Sequence, residues 1–252
     1  MGSRVFILTA IIRATVLTCL ILTGQSCSDV DDCFRGTGTE EQEYRQPGVF
    51  DRIYLTDNID LRIHRSPTHR LTLNGGKNLL PQVETRIENG TLRILNNNRC
   101  NWTRSFKKRI TIDIYTPALN SIYVEDAIGN ITTPDTIYAG EFRLDSFSSM
   151  GTYDLILNCT TATLALHNGA ADLRVSGTTQ VQYGYTAGYG NFDAGTLKTS
   201  LAFITNKGTN RLTVNPVNLL DARIEGAGDI YYRGQPDSIY SKITGTGKLI
   251  NL

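Results

Sequence analysis

Carboxylates recur at one place in the C-terminal half of this chain, and two of them could hold a cation. Asp154, Asp172 and Asp229 each follow a glycine by three residues, in Gly151-Thr152-Tyr153-Asp154, Gly169-Ala170-Ala171-Asp172 and Gly226-Ala227-Gly228-Asp229. Asn130, Asn191, Arg211 and Lys248 take the same place in similar stretches. If those stretches stack, Asp154 and Asp172 stand roughly 5 Å apart, close enough to share Ca²⁺ with backbone carbonyls. The plainer reading is a solvated ladder in which Arg211, Asp229 and Lys248 alternate in sign. We expect that ladder, with no metal site and no catalytic pair, because no positioned base accompanies the acids.

The second chemistry is aromatic. Tyr183, Tyr185 and Tyr189 cluster, as do Tyr231 and Tyr232. Facing outward on adjacent layers, these five would form a ligand face for sugar rings or an envelope-protein partner. Facing inward, Tyr183 would fill core. No Gly-x-Ser-x-Gly elbow, Walker loop or His-Glu-x-x-His occurs, so neither an enzyme nor a cofactor is expected. Three histidines and no Cys-x-x-Cys pair argue against zinc. His167 and Cys159 sit near neighbouring strand ends, with nothing to activate the thiol. The 252 residues carry 25 basic and 24 acidic side chains, which gives no electrostatic case for binding nucleic acid.

The N-terminus reads as an address. Arg4 and Arg13 flank and interrupt an apolar run that ends at Gly24-Gln25-Ser26-Cys27, too short to span a bilayer. Small residues before a cysteine are similar to a bacterial lipoprotein cleavage box. That implies removal of residues 1–26 and a diacylglycerol on Cys27, although the third residue before Cys27 is Gly where such boxes most often carry Leu. The alternative is an ordinary secretory signal cut near Ser26. Residues 27–46 then form an acidic tether, Ser28-Asp29-Val30-Asp31-Asp32 resembling a Bacteroidetes surface-export signal. The protein would meet the membrane through its acyl chains, each buried methylene contributing about 0.8 kcal/mol.

Export also permits a disulfide. Cys33 and Cys100 lie in polar segments and Cys159 in an apolar run, Leu155-Ile156-Leu157-Asn158-Cys159. Pairing Cys33 with Cys100 would close a loop of about 67 residues, worth roughly 4 kcal/mol in the chain-entropy model; the alternative leaves both thiols free. Trp102 would pack beside that bond, and Cys159 would be a buried free thiol.

Two regions must position these groups, and residues 47–252 read as one β-solenoid domain containing both. Over residues 121–252 a short apolar strand, a glycine turn, a polar residue and a second apolar strand recur about every 19 residues. Such a unit cannot bury its inner face alone and must stack on its neighbours. The expected fold is all-β, a right-handed parallel β-helix with an N-terminal β cap. One-sided, regularly spaced corners favour it over an antiparallel sandwich with a hairpin at each glycine. Alternation places Leu164, Leu166, Val181, Tyr183, Leu201, Phe203, Ala222 and Ile224 inside before the corners. It places Leu155, Leu157, Leu173, Val175, Leu212 and Val214 inside after them. Residues 47–120 predict strands at Phe50–Leu55, Ile59–His64, Arg70–Asn74, Glu84–Ile87, Thr91–Leu95 and Ile110–Tyr115. Turns are expected at Asn74-Gly75-Gly76 and Asn89-Gly90. This layer should cap one open end, where bare strand edges invite aggregation.

The run Phe50-Asp51-Arg52-Ile53-Tyr54-Leu55, with Gly75-Gly76-Lys77-Asn78-Leu79-Leu80, Cys100-Asn101-Trp102 and Ile110-Thr111-Ile112, resembles the family described as putative auto-transporter adhesin, head GIN domain. Gly226-Ala227-Gly228-Asp229-Ile230-Tyr231-Tyr232-Arg233-Gly234 and Ile243-Thr244-Gly245-Thr246-Gly247-Lys248 fit it too. The resemblance spans roughly residues 47–250 and implies a β-helix exported to the cell envelope of Bacteroidetes; it brings no catalytic motif. Asp135-Thr136-Ile137 and Asp237-Ser238-Ile239 are similar to Bacteroidetes O-glycosylation sites. The expected protein is a lipid-anchored outer-membrane protein, exposed at the surface, whose solenoid serves adhesion or protein interaction. The alternative is a carbohydrate-binding or carbohydrate-degrading β-helix.

Overall fold

The computed structural model describes residues 36–98 and 109–252. The expected leader, Cys27, the Cys33–Cys100 pair and Trp102 lie outside the described residues. The described chain is almost entirely strand, wound into a β-solenoid of about seven turns.

The first seven strands are β1 (Glu40–Arg45), β2 (Arg52–Asp57), β3 (Ile59–Arg65), β4 (Arg70–Gly76), β5 (Val83–Glu88), β6 (Thr91–Asn96) and β7 (Ile110–Thr116). All six strands read from alternation in this layer are present. Asn74-Gly75-Gly76, expected as a turn, instead completes β4. Asn89 and Gly90 do turn the β5–β6 hairpin, both with positive φ. Strand β1 falls inside the stretch read as tether and pairs antiparallel with β4. Strands β2 and β3 already belong to the parallel stack, β6 and β7 lying on one side of them and β8 (Ser121–Ala127) and β9 (Ile131–Thr132) on the other. Antiparallel pairing of β4 with β7, β1 with β4 and β5 with β6 then closes this end. The expected cap is there.

From β8 onward every pairing is parallel, which is the registration a solenoid needs. The strands are β10 (Ile137–Phe147), β11 (Ser149–Leu166), β12 (Gly169–Thr186), β13 (Phe192–Asn206), β14 (Leu212–Ile224), β15 (Ile230–Tyr232), β16 (Ser238–Ile243) and β17 (Leu249–Asn251). Each long strand runs through a whole winding. In β12, residues 173–174 lie on a side face, 177–179 on a back face and 181–186 on a front face.

Like residues pile into columns. Leu61, Ile131, Tyr153, Leu173, Phe192, Leu212 and Ile230 form one inner column on the side face, each at most 1% exposed. The corners pack by close backbone approach. A Cβ on Gly226 would run into the carbonyl of Gly208, and one on Gly245 into the carbonyl of Gly226. The stacking differs in one place from alignment on the first glycine of each repeat. Gly169 stands on Ser149, and Ala171 stands on Gly151.

Two further expectations are corrected by the same registers. Asp154 lies opposite Arg174, and Asp172 opposite Thr152, so the two carboxylates expected to stack on adjacent coils share no column. Val181, Tyr183, Leu201 and Phe203 do not enter the core. Leu164 pairs with Gly184, Gly184 with Ile204, and Ile204 with Ala222, which fixes the opposite phase for this part of the front face. The inward residues there are Gln182, Gly184, Thr186, Ala202, Ile204 and Asn206. Leu164, Leu166, Ala222, Ile224 and the inward residues named after the corners are placed as expected.

Candidate functional site

The front face carries an aromatic track on its outer side. It begins near the capped end, where Arg93 lies over the Tyr54 ring (3.9 Å) and Tyr54 stacks on Tyr123 (5.5 Å between centroids, 11° between planes). Tyr123 meets Phe147 at 5.3 Å, and Phe147 stacks on His167 at 4.0 Å and 4°. His167 touches Tyr185 at 5.4 Å, and in the neighbouring column Tyr183 stacks on Phe203 (5.3 Å, 19°). Parallel stacking makes this possible: side chains on successive coils stand one strand spacing apart, about 4.8 Å, so rings at equivalent positions meet face to face.

Charge beneath the track is neutralised locally. The Asp145 carboxylate is nearly buried and held between Arg143, through Nη2 at 3.0 Å and a short contact from Nε, and His167 Nε2 at 2.9 Å. Burial pushes its pKa up, but the hydrogen bonds from Arg143 and His167 outweigh that and hold it below the ordinary value. Burial, reinforced by Glu125, raises both Tyr54, whose hydroxyl donates to Glu125 (2.7 Å), and Tyr123, so both phenols stay neutral.

The track opens into a trough of about 360 Å³. Thr163 and Ala165 form part of its lining, Tyr183, Tyr185 and Phe203 supply aromatic surface, and Asp221 and Arg223 stand further along the same two columns. The small side chains of Thr163 and Ala165, in register with Tyr183 and Tyr185, leave the space.

The interior beneath this trough is polar. Gln182 is fully buried between Ala162 and Ala202, with neither its amide nitrogen nor its oxygen hydrogen-bonded. Thr186 is buried with its hydroxyl unpartnered. Tyr183, one residue from Gln182, is 47% exposed. The segment is thus turned inside out, with apolar rings in water and an amide in the core.

The five tyrosines read from sequence do not converge. Tyr183 and Tyr185 share the front face, whereas Tyr189 stands exposed at a corner. Tyr231 points outward on the side face, donating to Asp229 (3.2 Å) under Arg211, and Tyr232 packs against the core. Phe203, Phe147, Tyr123 and Tyr54 join the front face instead; stacking columns on the true register would have found them.

The Asp145–His167 pair is another feature that sequence reading passed over. It resembles half of an acid–base apparatus, but Ser146 beside it points inward at 0% exposure, within 3.4 Å of the Tyr153 hydroxyl. Cys159 is buried and its thiol, pushed up by burial, donates to Thr179 Oγ1 (3.5 Å). Asp135 accepts from the Arg65 backbone N–H (3.1 Å) just before the back-face part of β10, while Asp237 is exposed and precedes the front-face strand β16.

The sequence profile of the family described as "Putative auto-transporter adhesin, head GIN domain" matches residues 49–236. Among solved structures, a putative adhesin from Bacteroides fragilis NCTC 9343 superposes with a TM-score of 0.81 at 20% identity, covering 86% of this chain and 100% of that one. A protein titled putative lipid binding protein from Parabacteroides distasonis ATCC 8503 gives 0.68 at 18% identity, with 85% and 97% covered. A putative adhesin from Parabacteroides merdae ATCC 43184 gives 0.64 at 16%, with 86% and 98% covered. These likenesses establish the fold. Among curated proteins, none matches the chain.

Proposed function

Since the chain belongs to the family described as putative auto-transporter adhesin, head GIN domain, we propose that it is a non-catalytic, adhesion-like binding protein of the cell envelope. Its ligand would bind along the front face, centred on the trough at Tyr183, Tyr185 and Phe203. The supporting observation is the inverted segment. An amide buried without partners costs about 1–3 kcal/mol by protein mutational data, and the rings left in water forgo burial that would stabilise the fold. A sequence that breaks the hydrophobic pattern on both sides of one strand is under a demand other than folding.

The family and the adhesin titles of its structural relatives support a place at the cell surface. Anchoring through an acylated Cys27 and placement in the outer membrane complete this reading. The carbohydrate alternative has one observation in its favour: Thr163, Asp221 and Arg223 give the trough hydrogen-bonding groups beside aromatic surface, which suits a ligand with both polar edges and apolar faces.

Binding of the chain to a panel of glycans and envelope proteins tests both readings. Tyr183→Ala with Phe203→Ala should weaken whatever binds at least tenfold, whereas Tyr189→Ala on the corner should leave it unchanged. Equal binding by all three proteins removes the trough from the mechanism. Metabolic labelling with a fatty-acid probe tests the anchor, and Cys27→Ala should abolish the label.

A further inference from the structure

The two ends of the solenoid are finished differently. At the N-terminal end the outermost strands are antiparallel and charged. Strand β5 carries Glu84, Arg86 and Glu88, tied to one another and to Arg93 by ion pairs of 2.9–3.3 Å, and β1 carries Glu40, Glu41, Glu43 and Arg45. Charges of this kind keep a strand edge from pairing with another chain. The last coil has less of this protection: β16 (Ser238–Ile243) carries one charge, Lys242. Strand β16 pairs with β14 on one side and with no strand on the other among the described residues.

The hydrogen-bonding parity of β16 can be read from its neighbours. In a strand, a residue's N–H and C=O point to the same side, and successive residues alternate. Arg143 N–H donates to Asn120 in the preceding coil (2.9 Å), and Thr244 N–H to Ile224 (2.9 Å). Tyr240 holds the position of Arg143 in the stacked columns, so Tyr240, Lys242 and Thr244 face back into the solenoid. Ile239, Ser241 and Ile243 therefore direct their N–H and C=O groups at the open edge. The side chains of Ile239 and Ile243 continue the inner columns of Leu220 and Ile224, which are fully buried, yet are themselves 42% and 47% exposed.

We propose that this edge pairs antiparallel with the same edge of a second copy of the chain, about a two-fold axis through Ser241. That register makes Ser241 face Ser241 of the second copy, and Ile239 face its Ile243, as hydrogen-bonded pairs. Every backbone group that β16 turns outward then finds a partner. Opposed residues in an antiparallel pair point to the same face, so the isoleucines meet on the inner side and join the two cores. On the outer side Tyr240 meets Lys242 twice, an ammonium against a neutral ring. A shift of one residue would oppose groups of the wrong parity, and a shift of two would leave an isoleucine backbone unpaired. A two-fold interface uses the same patch on both copies and closes after two, which places the two capped ends outermost.

Two variants of the full chain test the register. The Cα atoms of a hydrogen-bonded antiparallel pair lie about 5.5 Å apart, within the span of a disulfide. With a mild oxidant taking up the two thiol electrons, Ser241→Cys should run as a covalent dimer on a non-reducing gel and return to monomer on reduction. Tyr189→Cys, exposed but distant from the edge, should form no more dimer than the unmodified chain. Ser241→Pro removes an N–H that points only at the edge. It should halve the mass measured by light scattering and leave thermal unfolding cooperative. The proposal is overturned if the unmodified chain is monomeric at tens of micromolar, if S241C cross-links no better than Y189C, or if S241P remains a dimer.

Discussion

Replacing Gln182 by methionine should make this protein more stable. The side chain points into the core between Ala162 and Ala202, whose small size gives it length to fill, and neither polar atom of its amide has a partner. Methionine has the same unbranched length and adapts to irregular space, so it removes the unpaired amide without leaving a void. The gain should be about 1–3 kcal/mol, the cost of burying such a group unpaired. For a domain of this size each kcal/mol moves the melting temperature by roughly 2–4 °C. Differential scanning calorimetry of Gln182→Met beside the unmodified protein should therefore show a rise of several degrees. Ligand binding at the trough should be unchanged, because the substitution lies on the other side of the sheet. An unchanged or lowered melting temperature would mean that the amide is well satisfied inside. The inverted segment would then carry no energetic cost, and the argument that function demands it would fail.

Gly226→Ala should destabilise by about 3 kcal/mol, since the added methyl runs into the Gly208 carbonyl and one coil must move off the next; urea unfolding measures it. Asp145→Asn should cost about 1 kcal/mol at neutral pH, discounted because the Arg143 side chain is largely exposed. The folded pKa of Asp145 is depressed, so its contribution is complete above the unfolded value of about 3.9. It is lost as pH falls through the lower folded value. Melting curves of the two proteins should thus differ at pH 7 and converge in acid, and a gap that widens in acid would contradict the pairing.

The parts of the fold legible in the sequence were those where one rule decides. Alternating apolar residues placed β2 to β7, and Asn89-Gly90 marked a hairpin because both turn residues need positive φ. Corner glycines marked the coils. Alternation fails where it has two solutions. Val181, Tyr183, Leu201 and Phe203 alternate as well as any core residues do, and only the pairing of the residues between them, Gly184 with Leu164 on one side and Ile204 with Ala222 on the other, reveals that they face out. A two-residue slip hid the true columns in the same way. Aligning Gly151 with Gly169, where Ser149 belongs, brought Asp154 to Asp172 on paper. Asp145 and His167 are 22 residues apart and on neighbouring coils, so no local pattern joins them.

The outward tyrosines are enforced from within. For Tyr183 to enter the core, the strand would have to slip by one residue and place the ring in the slot between Leu164 and Ile204 that Gly184 now occupies. That slot is already filled. A Cβ at Gly184 would stand 2.8 Å from Ile204 Cδ1 and 3.4 Å from Phe192 Cζ, because both neighbours lean into the space the glycine leaves. A core this dense does not open for a phenol ring. The polar inner residues are then a consequence: with the phase locked by Gly184, Gln182 and Thr186 have nowhere to go but inward. The side-face column, the glycine corners and Gly184 hold the windings in register without help from the side chains of Gln182 and Thr186. Stability lost at this one segment is therefore tolerated by the rest of the stack, and the front face is free to carry aromatic side chains that the fold itself does not need.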